Sequence, residues 1–311
     1  MRRKGFTLVE LLVVIAIIAL LMGILMPALA RVRQLAFRMT CGTNLSGIGK
    51  AMLIYANDYQ DELPRAGGRT STWGVVKNWM ATDRYTAYGV SATGDGGTAS
   101  ISSCFYLLVK YSEVTPKSFI CKGDAGTTEF KLSELATGTV PQNYELIDAW
   151  DFGPDPTKKC SYSYHIPFGT YALTTSSEPG FAVAADRNPW LASPAGAAGT
   201  FAGFKPDLDT VKGTNEQARA GNAMSHQSDG QNVLFLDSHV EFAKRSYCSI
   251  EDDNIYTVSR FGTEQRGDSW GIAPTAGVQP ACRKDSLLVH DDSTMFGGGT
   301  TTAGRSRTSS R

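Results

Sequence analysis

Residues 1–33 read MRRKGFTLVELLVVIAIIALLMGILMPALARVR. The stretch 11–29 carries no charge, and Arg31 and Arg33 close it. An α-helix rises 1.5 Å per residue, so about 20 apolar residues cross a bilayer core of about 30 Å. A removable secretory signal has a shorter core of roughly 7–15 residues, followed by small residues. The run therefore predicts a retained membrane-spanning helix over 6–30. Glu10 lies inside that run, where a carboxylate is costly unless it is wet or paired. Two readings follow: Glu10 sits at the headgroup level, or it meets a positive charge inside an assembly. Arg2, Arg3 and Lys4 before the span balance Arg31, Arg33 and Arg38 after it. The positive-inside rule therefore leaves orientation open.

Beyond the span the helical pattern continues. Val32, Leu35, Met39, Leu45, Ile48, Met52, Tyr55 and Tyr59 recur at steps near three and four, the stripe of an amphipathic helix over 31–62. QDELP at 60–64 stops it. Pro27 removes one hydrogen bond and is expected to bend the rod. Gly42, Gly47 and Gly49 weaken its second half, either to unwind it locally or to admit a close-packed sheet. Over the 311 residues, 30 basic side chains balance 30 acidic ones, which gives no positive field for nucleic acid. With 42% hydrophobic and 19% charged residues, a disordered acidic or basic chain is also excluded.

Gly5-Phe6-Thr7-Leu8-Val9-Glu10-Leu11-Leu12, behind a short basic leader at 1–5, resembles the processing site of type IV prepilins and type II secretion pseudopilins. The resemblance implies cleavage after Gly5 by a prepilin peptidase on the cytoplasmic side and N-methylation of Phe6. It also implies that Glu10, the fifth mature residue, neutralises the terminal amine of a neighbouring subunit. Pro27 matches the helix-kinking proline of that family. The implied fold is α+β, a long kinked helix packed on an antiparallel head. The implied location is a single pass in the cytoplasmic membrane with the head outside. The implied partners are further copies in a filament, the peptidase, an inner-membrane assembly machine and membrane lipid.

Further islands resemble large-headed pilin-like proteins of environmental bacteria. They are Cys41-Gly-Thr-Asn44-Leu45, Phe119-Ile-Cys121-Lys-Gly-Asp124, Ser161-Tyr-Ser-Tyr164 and the run from His226 to Val240. Lys122 and Gly123 stand where that group has Pro-Ser. Ten residues rather than nine separate His226 from Asp237, and Ser238 replaces a glycine.

In the head, 63–290, the segments 105–109, 181–185, 233–236 and 239–242 read as strands. Asp237-Ser238 reads as a two-residue hairpin turn, a place where positive φ is needed. The stretches 89–100 and 191–203 read as loops. Residues 291–311, rich in Gly, Ser and Thr, read as a disordered tail. Six cysteines at 41, 104, 121, 160, 248 and 282 lack zinc-ligand spacing and allow 15 pairings, of which Cys104 with Cys121 is favoured because they flank one strand-loop unit.

His226, Asp237 and His239 lie near one hairpin and are the candidate metal or acid–base set. The competing reading gives Asp237 to the turn and His226 to local packing. Asp207, Asp209, Asp252 and Asp253 are candidates for calcium, without EF-hand spacing. No nucleophile elbow, phosphate loop or HExxH occurs. The expectation is a structural filament subunit, without catalytic residues, cofactor or nucleic-acid partner. The alternative is a membrane-anchored extracytoplasmic binding protein or enzyme that does not polymerise.

Overall fold

The computed structural model describes residues 7–296 apart from 137, 210, 260–270, 272 and 276. In chain order the α-helices and strands are α1 (Leu8–Asp58), β1 (Thr72–Trp73), α2 (Arg84–Tyr88), β2 (Thr98–Ala99), α3 (Ile101–Tyr111), β3 (Tyr162–His165), β4 (Ala182–Asp186), α4 (Asn215–Arg219), β5 (Gln231–Phe235), β6 (Val240–Ala243), β7 (Leu288–Val289) and α5 (Ser293–Phe296). The fold is α+β and pilin-like: one long apolar helix and an antiparallel five-stranded head. The sheet order is β6-β5-β4-β3-β7, and β1 and β2 form a separate parallel pair.

At 51 residues, α1 is about 75 Å long. It passes through Pro27 as one helix. Tyr59 caps it, and Gln60 and Asp61 take left-handed φ, so the chain turns away where QDELP was expected to stop it. Cys41, Leu45, Ile48, Met52 and Tyr55 are buried, at steps of four and three. They pack on β5, β6 and α3. The amphipathic stripe is shorter than its sequence pattern, because Val32, Leu35 and Met39 lie before the head begins to cover the helix and are exposed.

Side chains of β5 alternate between two cores. Leu234 and Leu236 face α1, while Val233 and Phe235 join Trp190, Phe204, Tyr247 and Tyr256 on the far side. Gly42, Gly47 and Gly49 remain helical. At Gly49 a Cβ would lie 2.6 Å from Leu234 Cδ1, so this glycine admits close packing rather than unwinding.

The segment 105–109 is not a strand. It lies in α3, with its residues buried. A continuous apolar run does not distinguish a buried strand from a buried helix. Here Ser100 decides, its Oγ accepting the Ser103 N–H at 2.9 Å. The other three strand expectations hold within a residue or two. The β5–β6 turn differs in detail: the Ser238 N–H donates to Phe235 O at 2.9 Å, so Leu236 and Asp237 are central and Ser238 follows at φ 69°. Of the expected tail, 291–296 contains buried Asp291 and α5, and 297–311 lies outside the described residues.

The glycines of α1 give a paired test. A methyl at Gly47 meets nothing within 4 Å among the described residues. Gly47→Ala should stabilise the protein by roughly 0.5–1 kcal/mol through helix propensity. Gly49→Leu should destabilise it by about 1–3 kcal/mol through overpacking. Denaturant unfolding of the full chain in detergent, followed by head tryptophan fluorescence, measures both. Equal effects at the two sites would remove the packing role of Gly49.

Candidate functional site: the α1 surface and its junction with the head

Gly5 and Phe6 lie outside the described residues. Thr7 is the N-cap of α1 in extended conformation. Its Oγ1 accepts the Glu10 N–H at 3.3 Å. Glu10 Oε2 in turn accepts the Thr7 N–H at 2.8 Å and the Thr7 hydroxyl at 2.7 Å. This reciprocal capping box satisfies two amide groups that begin a helix with no partner of their own. In the single chain Glu10 is thus occupied by its own helix start. The sequence reading missed Thr7, although the Thr-x-x-Glu spacing before an apolar run carried the signal.

From Leu8 to Leu29 the large apolar side chains of α1 are exposed. Among the described residues, α1 is the one helix long and apolar enough to cross a membrane. Such a surface needs lipid or other apolar helices around it. This fits a single-pass membrane anchor. Pro27 lies within the exposed half.

The short islands of the sequence meet where α1 enters the head. Cys41 on α1 is disulfide-bonded to Cys121, with Cα atoms 5.2 Å apart. Asn44 Nδ2 donates to Ile120 O at 3.1 Å, and Tyr162 Oη donates to Cys41 O at 3.4 Å. Arg38 lies over the Phe242 ring and pairs with Asp229 at 2.5 Å. Gly123 is needed here because a Cβ would stand 2.4 Å from Ser225 O. The favoured Cys104–Cys121 pairing is overturned: Cys104 sits on α3 and its Sγ accepts the Ala66 N–H. Placing 105–109 in a strand had put Cys104 on the wrong element.

The candidate metal set divides. His226 is buried, with Nε2 3.2 Å from Asp186 Oδ2, 3.3 Å from Asn232 Nδ2 and 3.7 Å from Cys121 Sγ. His239 and Asp237 instead pair with each other at the exposed hairpin turn, and the His239 ring stacks on Phe235. The His239 N–H and ring hold the Asp237 carboxyl below its usual range. The three residues do not form one ligand set: His226 hydrogen-bonds inside the head, while Asp237 and His239 pair with each other at the turn. Asp186 and Asn232 were not singled out in the sequence, since only the β4–β5 pairing brings them to His226. Three of the four calcium candidates have separate partners: Asp207 pairs with Arg245, Asp209 with Lys212, and Asp253 accepts the Ser286 N–H.

Several titratable groups are buried in the head. Burial holds Asp124 above its usual range, and Arg187, at 2.7 Å, offsets only part of that rise. Burial drives His165 down to about 4 and His290 well below its usual range. Asp291 reaches the start of α3, accepting the N–H groups of Ile101 at 2.9 Å and Ser102 at 2.8 Å, and the Trp73 indole N–H at 2.9 Å. Asp151, bonded to Ser100 Oγ and to the Phe152 N–H, is raised to about 7, first by burial and then by Asp291. Between the usual carboxylate range and about 7 the folded chain holds a proton on Asp151 that the unfolded chain has lost. Stability from this group is therefore present at low pH and falls as pH rises to about 7. Across pH 4–7, wild type should lose a few kcal/mol relative to Asp151→Asn, read from denaturant midpoints at each pH. Parallel pH profiles would show that Asp151 is not the responsible group.

Residues 1–26 match the family described as the prokaryotic N-terminal methylation motif. No curated protein and no solved structure matches the chain. The motif, the exposed apolar helix and the antiparallel head together give the chain a pilin-like architecture behind a prepilin-type amino terminus.

Proposed function

We propose that this chain is a structural subunit of a type IV pilus-like or type II secretion pseudopilus filament. A prepilin peptidase cleaves after Gly5 and methylates Phe6. The helix then waits in the cytoplasmic membrane, with the head on the extracytoplasmic side, until the inner-membrane machine adds it to the filament. The carrying observation is the bare apolar half of α1 beneath a methylation motif. Lipid covers that surface in the single subunit, and helices of other copies replace lipid in the filament. The head supplies shape and contact surface rather than catalysis.

Glu10 selects the register. Its carboxylate leaves or shares its contact with Thr7 to meet the mature amino terminus of a neighbour. In a low-dielectric bundle such a pair is stronger than in water, and a slipped helix would bury an unmatched charge.

Native protein from cells with the peptidase should lack residues 1–5 and carry one added methyl at Phe6, as read by mass spectrometry. An intact Met1 terminus in such cells would contradict processing. Glu10→Leu should insert and fold, yet its yield in sheared filaments or crosslinked multimers should fall at least about tenfold, because the amine loses its partner. Equal multimer yields at equal expression would remove the assembly role.

A further inference from the structure

The convergence of Cys41, Cys121, Asp186 and His226 has a use that neither the disulfide nor filament assembly requires. One ligand atom from each lies within 4.8 Å of the other three, and all four residues are buried. They come from four separate places: α1, the segment after α3, the end of β4 and the segment before β5. We propose that these four side chains form a redox-gated site for Zn2+, open to the ion when the Cys41–Cys121 disulfide is reduced.

The spacing suits the ion. Zinc takes sulfur at about 2.3 Å and imidazole nitrogen or carboxylate oxygen at about 2.0–2.2 Å, so tetrahedral neighbours stand roughly 3.3–3.8 Å apart. His226 Nε2 is 3.2 Å from Asp186 Oδ2 and 3.7 Å from Cys121 Sγ. Two of the required separations are therefore nearly present, and the remaining change is the parting of two bonded sulfurs. Asn232 donates through N at 2.7 Å and Nδ2 at 3.2 Å to Asp186 Oδ2, the outer hydrogen bonds that fix a ligating carboxylate. Asp186 Oδ1 is buried and has no hydrogen-bond partner among the described residues, leaving acceptor capacity at the site. A groove between α1 and the head, lined by Phe37, Gly123, Met224 and His226, gives the approach.

The exchange balances with a dithiol as reductant. Its thiolate attacks one sulfur of the disulfide, and its second thiol resolves the mixed disulfide. Two electrons and two protons pass to Cys41 and Cys121, and the dithiol leaves as a disulfide. Zn2+ then displaces both thiol protons to solvent, while neutral His226 and the Asp186 carboxylate complete four ligands. Two thiolates, one carboxylate and the ion leave a net charge of −1. In either state α1 stays clamped to the head, by a covalent bond or by the metal.

The experiment uses the full chain in detergent, either oxidised or reduced and desalted without oxygen, titrated with Co2+ as a spectroscopic stand-in and then with Zn2+. Reduced wild type should bind one Co2+ with thiolate charge-transfer and tetrahedral ligand-field bands, and Zn2+ should displace it. Oxidised wild type should show no such bands. The double variant Cys41→Ser with Cys121→Ser keeps the other four thiols and should lose the bands. Asp186→Asn and His226→Gln should each weaken binding at least about tenfold. Absence of binding after reduction would overturn the proposal, as would equal binding by oxidised wild type or by the reduced serine variant. The oxidised–reduced comparison uses the unmodified chain, so an unstable variant does not remove the test. None of these readings depends on polymerisation, so failure here and failure of the filament assignment are separate results.

Discussion

The carboxyl-terminal half of α1 lies against β5, and Gly49 brings the helix backbone up to the Leu234 side chain. A larger residue at Gly49 would hold the helix off the sheet and open the apolar seam from Leu45 to Tyr55. The Cys41–Cys121 disulfide fixes the near end of that seam across a separation of 80 residues. In the chain-entropy account, closing a loop of that length stabilises the fold by roughly 4–5 kcal/mol. Asn44, Tyr162 and Arg38 add hydrogen bonds and an ion pair at the same junction. One helix is thereby held firmly by a folded head along half its length and left bare along the other half.

That division gives each half its own surroundings. The head ends its cover near Cys41, so the apolar residues before it must find lipid or other helices. Because α1 is continuous through Pro27, one helix joins the exposed apolar half to the half packed on the sheet. The head has two cores on opposite faces of its sheet. Asp291, from the far end of the described chain, ties Trp73 to the start of α3, so the late sequence completes what the early head segments begin.

Buried polar groups are concentrated near these ties. His226, Asp186 and Asn232 share one hydrogen-bonded cluster beside the disulfide. Arg187, the residue after Asp186, turns away to Asp124 and to the carbonyls of Thr157 and Cys160. The cluster lies where α1, β4 and β5 meet, so chemistry at its sulfurs bears directly on how the membrane helix is attached. Sequence islands separated by tens of residues thus belong to one physical feature, the helix–head joint.

The sequence by itself determined the long apolar helix, its stop near Asp58, the β5–β6 hairpin and strand β4. Each is a local property: unbroken hydropathy, a loss of period, or alternation bounded by turn residues. It also displayed the processing motif, which is linear and needs no fold to be recognised. Tertiary structure decided the rest. The run 105–109 is equally apolar as strand or helix, and only the Ser100 cap and burial on every side made it α3. Which cysteine meets Cys121 depended on how α1 packs on the head. His226 lost Asp237 and His239 as partners because the hairpin carries its turn away from the joint, while antiparallel pairing brought Asp186 and Asn232 to it. Long-range contacts of this kind leave no periodic trace, since residues far apart in the chain become neighbours only when the sheet closes.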